Sequence, residues 1–324
     1  MPEVRNVAIL DDYQRVARTS ADWGRLAAGV TTFHHHLGGP HDVVAALEPF
    51  DVLVVMRERT ALPAEVLERL PNLRLLVTTG PANAAIDVAA AHRLGVTVCG
   101  TGGVLDNAAT VEMTWALVLA TLRHVPEEDR RLRDGGWQET VGGDLKGHRL
   151  GVVGLGGIGR PVAAVGQAFG MDVAAWSRHL DPDDARAVGV TPVSKDELFT
   201  TADVVTIHMK LSRGSRGLVG REDLERMGPH AILVNTSRGP IVDEDALLAV
   251  LHAGSIGGAG LDVYGAEPLP VDSPWRSAPR TVLTPHLGYV TGRTLSTMYA
   301  DAVEDIEAFV AGSPVRELAV PPAP

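Results

Sequence analysis

Short apolar runs punctuate the first hundred residues: NVAIL (6–10), VTTF (30–33), DVLVVM (51–56), LRLLVTT (73–79) and GVTVCG (95–100). Between them, ADWGRLAAG, HDVVAALEPF and PAEVLERL carry apolar residues at helical spacing. Runs of this length separated by single helices predict a parallel sheet with right-handed crossovers. A second series begins at RLGVVGLGGIG. It continues through DVAAW (172–176), DVVTIH (203–208), AILVNTS (231–237), GGAGLDV (257–263) and TVLTPH (281–286). Two longer helices are predicted, one over 109–125 (ATVEMTWALVLATLRHV) and one from Thr291 to Val310. The second follows the last strand and carries the chain back toward the first series. The pattern is therefore α/β, with two doubly wound parallel-sheet domains: residues 1–104 with 290–324, interrupted by an insertion at 105–289.

The 324 residues are enough for two such cores. A formal charge of −11 argues against a nucleic-acid binder, which needs basic surface to neutralise phosphates. The single cysteine, Cys99, allows no internal disulfide and suits a reducing compartment. No signal-type segment opens the chain, and no apolar stretch reaches the roughly 18 residues that cross a bilayer. The expectation is a cytoplasmic globular protein with no membrane partner. The run His34-His35-His36 has no second ligand cluster beside it, so no metal is expected.

GVVGLGGIGRPVAAVGQAFG carries the strongest local motif. Gly154, Gly156 and Gly159 form G-x-G-x-x-G after an apolar strand and before a helix, the context of a Rossmann dinucleotide site. The first glycine allows the tight turn and the second admits the pyrophosphate. The third lets helix and strand pack closely, with Gly157 and Ile158 presenting amides at the helix N-terminus. An acid is expected at the end of the next strand, where it would bond the adenosine ribose hydroxyls. This chain has Ser177, Arg178 and His179 there. A carboxylate would repel a 2′-phosphate, which carries about −1.5 to −2 charges; Ser177 removes the repulsion and Arg178 can pair with it. The reading favours NADP(H), with NAD(H) still compatible if Arg178 is a solvated surface residue.

Three further stretches, VNTSRGPIVDEDAL (234–247), GLDVYGAEPLP (260–270) and LTPHLGYVT (283–291), follow in order. With the glycine motif they make nearly the whole chain resemble the D-isomer-specific 2-hydroxyacid dehydrogenases, among them glyoxylate and hydroxypyruvate reductases and 3-phosphoglycerate dehydrogenase. The resemblance implies a flavodoxin-like substrate domain and an inserted Rossmann domain. It implies hydride transfer between NAD(P)H and a small 2-keto or D-2-hydroxy acid, with a reductive direction favoured, and a homodimer. Arg238 would then bind the substrate carboxylate through its planar fork. His286 would pass a proton to the carbonyl oxygen, and Glu267 would hold the imidazole and favour its protonated form.

By the same resemblance, Asp262 would accept from the nicotinamide carboxamide. Thr236, Ser237 and Gly288 would line the cofactor, and His208 and Met209 the adenine side. On the substrate side, TTGPANAAID (78–87) matches a carboxylate-binding loop, making Pro81, Ala82 and Asn83 candidates. Pro81 departs from the pattern because it has no N–H. Arg57 is a further substrate-side candidate, its alternative being a solvent-facing charge beside Glu58 and Arg59. Relatives often have Asn-Ser where this chain has Asp106 and Asn107, so the asparagine's family role is left unassigned. Thr78 and Thr79 stand where phosphoglycerate-type members commonly have a basic residue nearby. Trp115, Leu117, Val118 and Leu122 are either a dimer face or core of their own domain. The alternatives to reduction are oxidation of phosphoglycerate or of a specialised-pathway hydroxy acid, and a non-catalytic dinucleotide-sensing regulator.

Overall fold

The computed structural model describes residues 4–102 and 107–320. The chain divides into two compact units, Met1–Asp106 with Val290–Pro324, and Asn107–Tyr289. In the first unit, strands β1 (Asn6–Ile9), β2 (Gly29–Thr32), β3 (Val52–Val55), β4 (Leu75–Thr78) and β5 (Thr97–Gly100) form one parallel sheet in the order β2-β1-β3-β4-β5. That is the doubly wound order of flavodoxin-like folds, reversing direction between β1 and β3. The central strands β3 and β4 are buried at every position, because helices cover both faces of a parallel sheet. The edge strand β2 alternates exposed and half-buried residues. Helices α1 (Ala17–Ser20), α2 (Pro40–Leu47), α3 (Ala64–Leu67) and α4 (Val88–Arg93) connect the strands.

ADWGRLAAG was expected to be helical but forms a single 3-10 turn, Trp23–Arg25, capped by Asp22. Gly24, a poor helix former, sits in that turn, and the chain extends again at Leu26.

In the second unit, α5 (Ala108–Leu122) and α6 (Val125–Arg133) precede the sheet. The single helix expected over 109–125 therefore ends early. Arg123 closes α5, His124 takes a left-handed φ of 52°, and Pro126 opens the next helix in its first turn. Proline lacks the N–H that a continuing helix would use, and it biases its predecessor away from helical torsions. The seven strands β6 (Arg149–Val153), β7 (Asp172–Trp176), β8 (Thr191–Pro192), β9 (Val204–Ile207), β10 (Ile232–Asn235), β11 (Gly258–Leu261) and β12 (Thr281–Leu283) are parallel, in the order β12-β11-β10-β9-β6-β7-β8. The short strand β8 was not anticipated. Helices α7 (Gly159–Ala168), α8 (Pro182–Ala187), α9 (Lys195–Thr201), α10 (Arg221–Arg226) and α11 (Glu244–Ala253) complete the unit. The topological switch lies between β6 and β9, where ligands of such sheets bind at the carboxyl ends.

Trp115, Leu117 and Val118 of α5 are buried in this unit's own core, beside Leu150, Val152, Val162 and Val234, with Leu122 packed at its margin. Of the two readings of these side chains, core of their own unit is the one their packing shows. The chain returns to the first unit with α12 (Gly292–Val310), capped by the Thr291 hydroxyl and packed by the edge-on pair Trp23–Tyr299. The last described segment then pairs with β5: Gly100 N donates to Arg316 O at 3.0 Å, and Leu318 N to Val98 O at 2.8 Å. No helix among the described residues is long and apolar enough to cross a membrane.

Candidate functional site

Six strands of the second unit end in a residue singled out from sequence, all on one edge of the sheet. Gly154 follows β6, Ser177 follows β7, and His208 follows β9. Thr236 follows β10, Asp262 follows β11, and His286 lies three residues beyond β12. Parallel strands make this inevitable, since every carboxyl end points the same way.

The glycine loop has three distinct reasons for its three glycines. Gly154 has φ +98°, and a Cβ there would lie 2.7 Å from His208 O and 2.8 Å from Met209 Sδ. A Cβ on Gly159 would overlap the Gly154 carbonyl oxygen, so this glycine sets how closely α7 approaches β6. A Cβ on Gly156 would meet nothing within 4 Å. Only the second glycine faces space, as a backbone that must be approached by a ligand would. Ile158 precedes the first turn of α7, and Gly157 lies beside the Asn107 amide, 3.4 Å from its Nδ2 to a notional Cβ. The structure thus brings Asn107 to the loop, which sequence spacing left unassigned; Asp106 lies outside the described residues.

The His208 ring sits in the same wall with both nitrogens buried and without hydrogen-bond partners, and burial pushes its pKa down to about 3. An unpartnered buried imidazole is costly, and a polar group brought by a ligand would relieve it. Together with the open face of Gly156, this fits a dinucleotide along the switch point. Met209 O accepts from the Ser237 hydroxyl, and Thr236 Oγ1 meets Thr114 Oγ1 at 2.8 Å, so β9, β10 and α5 are tied beneath the same edge.

Glu267 and His286 form a separate cluster beside it. His286 Nδ1 lies 2.6 Å from Glu267 Oε2, while Tyr264 N donates to Glu267 Oε1 at 2.9 Å. An ionised carboxylate only accepts, so this contact places a proton on Nδ1 and leaves Nε2 outside it. Tyr289 packs edge-on against the imidazole, 5.4 Å between centroids. His286 itself has φ +56°, a left-handed conformation that histidine adopts more readily than most residues.

Asp262 explains why that torsion is held. It is completely buried, and its Oδ1 accepts from Thr284 Oγ1 (2.6 Å) and Leu287 N (2.7 Å), its Oδ2 from Gly288 N (2.7 Å). Burial raises its pKa, and these three donors oppose the rise. Gly288 is required for the approach: a Cβ there would sit 3.0 Å from Asp262 Oδ2. Its carbonyl accepts from Thr110 at the start of α5. Asp262 therefore grips both sides of His286, a structural duty the motif reading had not assigned. Arg238, on the same edge, has an extended backbone and donates from Nη1 to Ser237 O at 2.8 Å. The neighbouring Gly239 is pressed against the backbone of Tyr264, leaving no room for a side chain and joining the Arg238 and Glu267 segments.

In the first unit, Arg57 follows β3 and Pro81, Ala82 and Asn83 follow β4, again at carboxyl ends. The Arg57 guanidinium lies against Gly80, whose φ is +120°. Asn83 donates to Arg57 O (2.6 Å) and Thr78 Oγ1 (2.9 Å), and Thr79 Oγ1 accepts from Arg57 N (2.9 Å). Asn83, Thr78 and Thr79 are buried and shape the loop, whereas Pro81 and Ala82 are exposed. Of the histidine run, His34 Nδ1 contacts Asp12 O at 3.1 Å and His36 Nδ1 accepts from Gly38 N.

Residues 115–288 match the family D-isomer specific 2-hydroxyacid dehydrogenase, NAD binding domain. Glyoxylate reductase of Aeropyrum pernix is 38% identical over 257 residues, covering 76% of this chain and 76% of the relative. D-3-phosphoglycerate dehydrogenase of Archaeoglobus fulgidus is 35% identical over 265 residues, covering 81% of this chain but only 50% of that longer protein. The crystal structure of a phosphoglycerate oxidoreductase from Vibrio cholerae superposes with a TM-score of 0.91 at 36% identity, over 96% of this chain and all of the other.

Proposed function

The chain belongs to the D-isomer-specific 2-hydroxyacid dehydrogenase family, and we propose that it reduces a small 2-keto acid with NADPH as the favoured donor. It is an oxidoreductase acting between a nicotinamide dinucleotide and a 2-hydroxy acid or its keto form. The observation that carries the reductive mechanism is the Glu267–His286 pair at 2.6 Å, on the same sheet edge as the glycine loop. When bound, the dinucleotide supplies the hydride. The protein supplies the rest. Arg238 holds the substrate carboxylate in its guanidinium fork, which fixes the keto carbon and polarises its carbonyl. His286 Nε2 donates its proton to the carbonyl oxygen as that oxygen gains charge, and takes it back in the reverse direction. Glu267 fixes the ring and stabilises the protonated imidazole. Gly154, Gly156, Gly157, Ile158 and Gly159 would cradle the pyrophosphate, and His208, Met209, Thr236, Ser237 and Gly288 would line the remainder of the cofactor. Asp262 acts through the His286 loop and would accept from the nicotinamide carboxamide. Arg57, after β3, and Pro81, Ala82 and Asn83, after β4, would serve the substrate side in the first unit.

Ser177 and Arg178 support the NADPH preference, since neither repels a 2′-phosphate. Oxidation of a phosphorylated glycerate is the second reading, favoured by the names of the Archaeoglobus and Vibrio relatives and by Arg57 beside Gly80. Thr78 and Thr79 weigh against it, both being committed to loop structure. We propose a homodimer in a reducing, cytoplasmic compartment. Leu132, Trp137 and Val141, exposed on and after α6, support an interface, and the single cysteine, which allows no internal disulfide, supports the compartment.

The test is the initial rate of NADPH and NADH oxidation with glyoxylate, hydroxypyruvate and phenylpyruvate. Turnover of at least one keto acid is expected, with kcat/KM about tenfold or more higher for NADPH, equivalent to roughly 1.4 kcal/mol. Dinucleotide binding without turnover of any of them would overturn the reductase reading.

A further inference from the structure

We propose that the loop after β9, residues 210–216, forms with Arg178 a binding site for a phosphate monoester, occupied by the 2′-phosphate of NADPH. The proposal rests on the dinucleotide reading above and names the residues that would discriminate the two cofactors beyond Ser177 and Arg178.

Four cations stand just beyond the carboxyl ends of β7 and β9, the two strands that flank β6 and its glycine loop: Arg178 after β7, and Lys210, Arg213 and Arg216 after β9. Arg178 extends from the β7 end across to the β9 loop: its Nη1 lies 2.9 Å from where a Cβ on Gly214 would sit. Lys210, Arg213 and Arg216 are exposed on that loop. Among the described residues none of the four side chains pairs with a carboxylate. The acids that follow Arg178 are committed elsewhere. Asp181 caps α8, Asp183 pairs with Arg186 at 2.8 Å, and Asp184 pairs with Arg160 at 3.2 Å. In a chain with 40 acids and 29 lysines and arginines, four cations without a carboxylate partner on one sheet edge oppose the overall charge balance. Such a focus attracts a dianion and carries no evident structural duty.

The loop is also preformed. Ser215, buried, donates to Lys210 O at 2.6 Å and accepts from Ser212 N at 2.8 Å, while Arg216 N donates to Ser212 O at 3.0 Å. Gly217 turns the chain away with φ +62°, its N–H donating to Pro240 O. Ordering of the backbone is therefore not charged against binding. Gly214 is the contact that lets Arg178 lie across the loop; its own φ is not positive, so a side chain there displaces the guanidinium without straining the turn.

The experiment is calorimetric titration of the full chain with 2′,5′-ADP and with 5′-AMP, together with fluorescence titration of NADPH and NADH. It is applied to wild type, Arg178→Ala, Arg213→Ala with Arg216→Ala, the lysine-substituted pair Arg213→Lys with Arg216→Lys, and Gly214→Val. Wild type is expected to bind 2′,5′-ADP at least about tenfold more tightly than 5′-AMP at low salt, a preference that shrinks as salt screens the exposed charges. The double alanine variant and Gly214→Val are each expected to lose about fivefold of that ratio with 5′-AMP affinity unchanged, which also reports intact folding. The lysine pair is expected to restore most of it. A ratio unaltered in the double alanine variant overturns the loop's role while leaving the dinucleotide reading intact. Failure of wild type to bind any of the four nucleotides overturns both.

Discussion

His286 Nδ1 lies 2.6 Å from Glu267 Oε2, and the other oxygen of Glu267 is already taken by the Tyr264 amide. The carboxylate is thus positioned by backbone before it meets the ring, and it selects which nitrogen faces a substrate. A glutamine at 267 can donate as well as accept, and so no longer enforces that tautomer. Glu267→Gln is expected to lower kcat/KM for keto-acid reduction about hundredfold, within the range of misplaced general acids. A kcat/KM within about threefold of wild type would remove Glu267 from the proton-transfer pair.

The glycine loop allows a sharper comparison between two neighbouring alanine substitutions. Gly159→Ala places a methyl on the Gly154 carbonyl, and overpacking of this kind costs about 1–3 kcal/mol or more. Gly156→Ala meets nothing in the protein and should leave unfolding within about 0.5 kcal/mol of wild type. It should nevertheless weaken dinucleotide binding at least about tenfold, because its methyl occupies the ligand's side of the loop. Urea unfolding and a fluorescence titration separate the two effects.

Asp305 in α12 predicts how stability depends on pH. Its Oδ1 accepts from Arg316 Nε at 2.9 Å, but Oδ2 is buried without a partner, and burial outweighs the guanidinium to push the pKa up to about 7. The folded chain therefore binds this proton more tightly than the unfolded chain, where an aspartate titrates near about 4. The contribution is fully present below pH 4 or so and is lost as pH rises to about 7. Asp305→Asn should flatten the stability profile between about pH 4 and 7, by on the order of 2 kcal/mol in urea titrations. A wild-type profile that already rises over that interval, with no change in the variant, would contradict it.

The strands were legible in sequence because buried parallel strands are unbroken apolar runs. Val52–Val55 and Val204–Ile207 have no other plausible reading. The break between α5 and α6 was harder, since Ala108–Leu122 and the residues after it share helical spacing, and only Val125-Pro126 marks the interruption. The glycine loop, Arg238, Glu267 and His286 were legible as motifs at strand ends. The support beneath them was not. Asp262 reads as one more strand-end acid until its partners Thr284, Leu287 and Gly288, more than twenty residues away, are folded against it. The orphaned His208 ring and the reach of Arg178 to Gly214 are likewise properties of packing, with no periodic or spacing signal to announce them.

The most direct test is His286→Asn, comparing NADPH-dependent reduction of glyoxylate and hydroxypyruvate with NADPH affinity in the same preparation. Asparagine keeps the short polar side chain that tolerates φ +56° but has no titrating nitrogen. The proposed mechanism predicts kcat lower by about a thousandfold or more, with the Kd for NADPH within about twofold of wild type. Turnover close to wild type in the variant would contradict the assignment of His286 as the proton donor, and with it the mechanism.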